Sequence, residues 1–297
     1  MKYTTISIKA FLTIIRTTYK NWNANEPFQM SAAVSYYALF SFPALLIIII
    51  QTTGLFYEKN EIKGKIISEI TDVLGKDVAK TIEIMLKNAI DQEQSTLLII
   101  IGIVTLLYGA TGMFIALQKS LNTIWGVKPK PKSEILKMVK DRIFSLGLIL
   151  MIGFLLLTSL VLTTLITATT DWIGQHFPDF IIYVIQIINY VLSIVLTTVL
   201  FAMIFKVLPD VKMKWRDVWL GAFVTTILFS IGKSTLGIYF GTVNPGSTFG
   251  AAGSVILILL WVSYSSLILF FGAEFTQVLA LKYGSGIKPS SYAEKVS

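Results

Sequence analysis

Two ionisable residues sit where a charge is costly. Lys233 and Glu274 both lie inside long apolar stretches, and a charge at a bilayer centre costs at least about 2.5–3.5 kcal/mol on insertion scales. Ser230 and Thr226 precede Lys233 by three and seven residues, so the three share one face of a helix. Gln186 and Asn189 add amides to another apolar stretch. A cation flanked by hydroxyls and amides can hold an anion or a lipid headgroup in an outward cavity. The same groups also suit a snorkelling lysine and interhelical hydrogen bonds, and both readings stay open on the sequence. Glu274 comes late in its stretch, which puts it at the opposite side of the membrane from Lys233. There it is expected to meet a basic residue, Arg142, Lys206 or Arg216, as an inner-side ion pair.

The rest of the inventory argues against an enzyme. The only histidine is His176, whereas an HExxH zinc site needs two and a Ser–His–Asp arrangement cannot be recognised from one. There is no cysteine, which removes disulfides, thiolate chemistry and Cys-based metal sites. No P-loop or GxGxxG fingerprint occurs, and no Asp pair lies inside an apolar stretch. Catalytic, cofactor and metal residues are therefore expected to be none.

The elements that must position these residues are membrane helices. Of the 297 residues 54% are hydrophobic and 14% charged, against about 25% charged in soluble domains. Six stretches are long enough, at about 20 residues, to cross a hydrocarbon core: 32–56, 95–118, 143–168, 180–205, 217–240 and 250–280. The net charge of +8 would suggest nucleic acid in a soluble protein. Here the basic residues flank the spans, so topology and anionic headgroups are the better explanation, and no nucleic acid is expected. The connectors 119–142 and 206–216 carry 7 and 4 Lys plus Arg, while 169–179 and 241–249 carry none. Connector 57–94, with 6 Lys and 8 acids, is ambiguous by itself, but the short connectors are unanimous, and the positive-inside rule then places both termini in the cytoplasm. The expected fold is all-α: one membrane domain over 1–297, a polytopic bundle of six transmembrane helices in the cytoplasmic (inner) membrane, with a cytoplasmic tail at 281–297.

Residues 1–31 lack the apolar core of a signal peptide. Ile6, Phe11, Ile14, Ile15, Tyr19 and Trp22 recur at helical spacing among four basic residues, the pattern of an amphipathic helix that lies on the membrane surface or packs on its own protein. Connector 57–94 holds two apolar stripes, Ile62, Ile66, Ile70, Val73 and Val78, Ile82, Met85, Ala89. They predict two short amphipathic helices on the outer face, either packed on the spans or presented to an envelope protein partner. Gly237 and Gly241 form a GxxxG pair that would let helices approach closely, and Pro43 should kink the first span.

The run Ser31-Ala32-Ala33-Val34-Ser35-Tyr36-Tyr37-Ala38-Leu39-Phe40-Ser41-Phe42-Pro43 resembles the opening of the YihY/BrkB family, once labelled ribonuclease BN-like. Leu121-Asn122 with Trp125-Gly126-Val127, then Leu208-Pro209-Asp210 with Trp215-Arg216, are similar to that family's cytoplasmic connectors. Gly232-Lys233 with Gly237 and Tyr239, and Gly272-Ala273-Glu274, resemble its last two spans. Ser35 and Asp210 depart from the pattern, standing where a small apolar residue and Asn are usual. The resemblance implies a six-span inner-membrane protein and carries over no catalytic or transport residue. The function expected is transport or lipid handling with membrane lipids as partners; the alternatives are a non-transporting scaffold recruiting a partner through 57–94 and, remotely, a membrane-bound nuclease.

Overall fold

The computed structural model describes residues 8–53, 96–130, 179–243 and 253–296 apart from 285 and 292, with a few helical positions between 64 and 83. The third expected span, His176 and most of connector 57–94 lie outside the described residues. Helix α1 (Ile8–Ala24) is followed by α2 (Pro27–Thr53) and α3 (Thr96–Ile124). Then come strand β1 (Val127–Pro129), α4 (Asp179–Val207), β2 (Val211–Lys212), α5 (Trp215–Val243), α6 (Gly253–Lys282), β3 (Lys288–Pro289) and β4 (Ala293–Lys295).

Helices α2 to α6 cover five of the six expected spans, at 27 to 30 residues each. Three windows among the described residues are long and apolar enough to cross a membrane: Tyr190–Val207, Trp215–Phe240 and Val255–Lys282. Only 28%, 22% and 39% of these windows are buried in the protein, so most of each apolar window faces outward. Ile187, Tyr190, Val191, Ile231 and Ile238 are among the large apolar side chains left exposed. Such a surface is stable in hydrocarbon and not in water. The chain is a mostly helical integral membrane protein.

Helix α6 is central, packing on α1, α2, α3 and α5, while α4 packs on α5. Close approach between α5 and α6 is reciprocal. A Cβ on Gly221 would collide with the Thr276 side chain, and one on Gly272 with that of Thr225. Each threonine turns its hydroxyl back to a carbonyl of its own helix, Thr225 to Gly221 and Thr276 to Gly272, both at 2.7 Å. Gly237, which the sequence offered as a packing position, has nothing within 4 Å of its would-be Cβ. The GxxxG spacing is met there, but the contact lies four turns earlier on the helix. Helix α2 continues through Pro43 without interruption.

The N-terminal segment is the amphipathic helix its pattern predicts. Ile14 is buried with Phe275, Val278 and Leu279 of α6, Phe11 meets Phe275 edge-on and Trp22 meets Phe271. Packing on its own protein thus accounts for one face of α1. Phe11, Leu12 and Tyr19 remain exposed beside it. Glu26, with a positive φ of 51°, turns the chain out of α1, and Pro27 opens α2 at the one helical position that needs no N–H donor. In connector 57–94, Ala79 and Ile82 are buried in the main core.

Two short antiparallel ribbons add to the helical plan. β1 pairs with β4, Val127 opposite Lys295, and β2 pairs with β3, Val211 opposite Pro289. They gather the ends of α3, α4 and α6 and the start of α5 at one end of the bundle. Gly126, at φ 62°, supplies the left-handed turn that ends α3, and its carbonyl accepts from Val296 at 2.9 Å.

Candidate functional site

Three polar assemblies can be built from the described residues. The first joins the ribbon end of the bundle. Asn122 Nδ2 donates to Asp210 Oδ2 at 2.9 Å, and the Asp210 N–H donates back to Asn122 Oδ1 at 2.8 Å. Gln118 Nε2 reaches the other carboxylate oxygen at 3.4 Å. The Asp210 carbonyl accepts from the Ser290 N–H at 2.9 Å. Asp210 and Asn122 are both buried, so Asp210 ties α3 to the α4–α5 turn through its carboxylate and N–H, and holds the C-terminal tail through its carbonyl. Gln277 of α6 donates to the Ile124 carbonyl at the frayed end of α3. Both Asn122 and Asp210 stand in the stretches that resembled family connectors. Their pairing was not readable, because 88 residues separate them.

The second assembly is at Glu274, which is 1% exposed. Asn25 Nδ2 donates to it at 3.1 Å, and the Asn21 side chain hydrogen-bonds it as well. The carboxylate is therefore met by the amides of Asn21 on α1 and Asn25 just past its end, where the sequence pointed to a basic residue, Arg142, Lys206 or Arg216; Lys206 donates to the Met213 carbonyl. Arg216 opens α5 with an exposed side chain, and Arg142 lies outside the described residues. The contact of Asn25 with Glu274 follows from the docking of α1, which an apolar-periodicity reading could not direct to a particular partner helix.

At Lys233 the shared face predicted from spacing does not hold one environment. Thr226 is fully buried, its hydroxyl oxygen 3.1 Å from that of Thr198 on α4, with its own proton directed to the Ala222 carbonyl. Ser230 is half-buried and Lys233 exposed. Helix α5 stays packed beyond this point, with Gly232 against Tyr264 and Ile268 and Phe240 in the core, but Lys233 lies on its exposed side, so the threonine serves as interhelical glue and the lysine projects outward. Gln186 and Asn189 lie on α4, but their side chains are outside the described residues.

The third assembly was not anticipated. An open groove of about 800 Å³ runs between α2 and α3. On α3 its floor is Val104, Tyr108, Gly112, Ile115 and Lys119, with Thr111, Ala116, Ser120 and Thr123 beside them; α2 contributes Gln29, Met30, Ala33 and Tyr37. The α3 residues recur at three or four, which makes one continuous face. A Cβ on Gly112 would enter the Tyr37 ring, and one on Gly109 would come within 2.9 Å of Phe40 Cβ and Ser41 N. The two helices thus approach most closely at the glycines. Tyr37 and Tyr108 meet edge-on at 6.1 Å. Val104, Tyr108 and Ile115 are exposed, and Lys119 is the only charged residue among the described residues that line the groove. The groove is apolar at one end and polar and cationic at the other.

The sequence profile of the family described as Virulence factor BrkB matches residues 18–296. The chain belongs to that family. Among its relatives are UPF0761 membrane proteins of Tolumonas auensis, 28% identical over 60% of this chain and 57% of its own length, and of Haemophilus influenzae, 24% identical over 92% and 96%. A third, the Bacillus subtilis protein YfkH, is named ribonuclease-like and is 22% identical over 90% of this chain and 95% of its own. The match with the Tolumonas protein spans little more than half of that protein, and the one with a UPF0761 membrane protein of Teredinibacter turnerae spans 42% of it. No solved structure matches.

Proposed function

We propose that this BrkB-family protein is a non-enzymatic lipid-handling protein of the cytoplasmic membrane that moves an amphiphile between leaflets or presents it to a pathway. The observation that carries this is the groove between α2 and α3. It opens sideways along two long apolar helices, has aromatic and aliphatic walls, and ends in a polar patch at Lys119. Sites for small amphiphiles combine a mostly apolar lining with a few placed polar groups. Transport along a groove of this kind lets a headgroup travel beside protein while its chains remain in hydrocarbon.

The proposed topology is six spans with both termini cytoplasmic. In support, the segments around 127, 211 and 288 meet at one end of the bundle, and Asn25 joins Glu274 near that same end. Connectors 119–142 and 206–216 carry 7 and 4 Lys plus Arg, against none in the short connectors 169–179 and 241–249, the asymmetry the positive-inside rule reads as cytoplasmic. The ribonuclease-like name of YfkH points to a different chemistry, but a single histidine and no cysteine leave few groups for it.

The test is translocation of a labelled phospholipid across sealed proteoliposomes. Wild type should exceed empty liposomes, and Ile115→Trp, which fills the groove, should slow the flux. Lys233→Ala should leave it unchanged. Flux that depends on Lys233 and ignores Ile115→Trp would move the pathway to α5; no flux from folded protein would end the transport reading.

A further inference from the structure

We propose that the groove between α2 and α3 is a binding site for one anionic phospholipid of the cytoplasmic leaflet, with its phosphate held at Lys119. The inference rests on the lipid-handling reading and names its ligand.

Three observations fix the class. The first is length. Val104 and Lys119 lie fifteen residues apart on one helix face, a run of about 22 Å. One leaflet of a hydrocarbon core is about 15 Å deep, half of roughly 30 Å. The groove therefore holds an acyl chain over a full leaflet and still reaches the headgroup level. The second is the order of its lining. Val104, Tyr108 and Ile115 offer apolar surface along the chain path, and the polar residues Gln29, Lys119 and Thr123 cluster at the end. The antiparallel course of α2 brings Gln29 to the Lys119 end, because Tyr37 already sits against Gly112.

The third is charge. Lys119 is exposed, and among the described residues it has no side-chain partner and no carboxylate lines the groove. The first turn of α2, the positive end of its dipole, adds to the same potential. A cation without an internal counter-ion, facing an apolar channel, is matched by a phosphate that arrives with its own chains. A zwitterionic lipid would bring a second cation to the same end and gain less.

The experiment uses the full chain in phosphatidylcholine nanodiscs. These are doped with either phosphatidylglycerol or phosphatidylcholine carrying a photoactivatable group on the acyl chain. After illumination, labelled peptides are mapped. Phosphatidylglycerol should label Met30, Tyr108 and Ile115 in preference to phosphatidylcholine. Lys119→Glu should reduce that labelling about five-fold, the scale of one lysine near an anionic surface, while Lys119→Arg retains it. Equal labelling by the two lipids, or labelling indifferent to Lys119→Glu, would overturn the assignment. So would its displacement by inorganic phosphate, which would make this a phosphate site without a lipid. Lipid flux with no headgroup preference would leave the lipid-handling function standing and remove only this inference. Selective labelling without flux would do the reverse.

Discussion

At the scale of single residues, the buried carboxylates are where the structure makes its sharpest demands. Asp210 depends on Asn122 for a donor and an acceptor at once. Asn122→Ala strands a buried carboxylate oxygen and a backbone N–H, and should cost about 1–3 kcal/mol, read as a lower melting temperature in detergent. Asp210→Asn keeps an acceptor for Asn122, and turning the Gln118 amide gives the new donor a partner, so its effect should be much smaller. A loss from Asp210→Asn equal to that from Asn122→Ala would show that charge, not hydrogen-bond geometry, holds α3 to the α4–α5 turn. Both residues were visible in the sequence as parts of family-like connectors, yet nothing in the spacing said that they meet. Lys233 is the converse. Its cost in an apolar stretch was legible, but its exposure was decided by the side of α5 that faces α4, which the sequence did not specify.

At the scale of elements, close approach is set by which glycines face a neighbour. Gly221→Ala and Gly272→Ala should each push α5 from α6 and cost about 1–3 kcal/mol, measured by thermal unfolding. Thr276→Ala combined with Gly221→Ala should recover only part of the loss, because it removes the hydroxyl in the way of the new Cβ but leaves the residue 276 Cβ 2.7 Å from it. Gly237→Ala meets open space and should be neutral or slightly stabilising, because alanine is the better helix former by roughly 1 kcal/mol. For α1, Ile14→Asp places a charge in the fully buried seat against Phe275 and Leu279. Limited proteolysis should then cut the chain near Asn25 faster than in wild type. Unchanged cleavage would mean that Asn25 and Trp22 alone hold α1 in place.

At the scale of the whole molecule, the ribbons close one end of the bundle by joining three segments far apart in the chain. The proposed topology makes that end cytoplasmic. The sequence contains no cysteine, so single cysteines can be introduced into the native chain and probed with an impermeant maleimide. Cysteines at 176 and 245 should react in intact cells, and those at 130 and 212 only after permeabilisation; the opposite result would invert the orientation. The sequence by itself determined the membrane class, the helical plan and the family, because hydropathy and charge act on each segment separately and need no knowledge of its neighbours. Five of the expected spans fall on helices within a few residues of their predicted bounds for that reason. Only the tertiary structure decided the pairing of Asp210 with Asn122, the capture of Glu274 by Asn25, and the groove between α2 and α3. Each depends on the rotation of one helix about its axis against another. In a bilayer, apolar side chains are tolerated on every face of a helix, so apolar periodicity no longer marks the inward side.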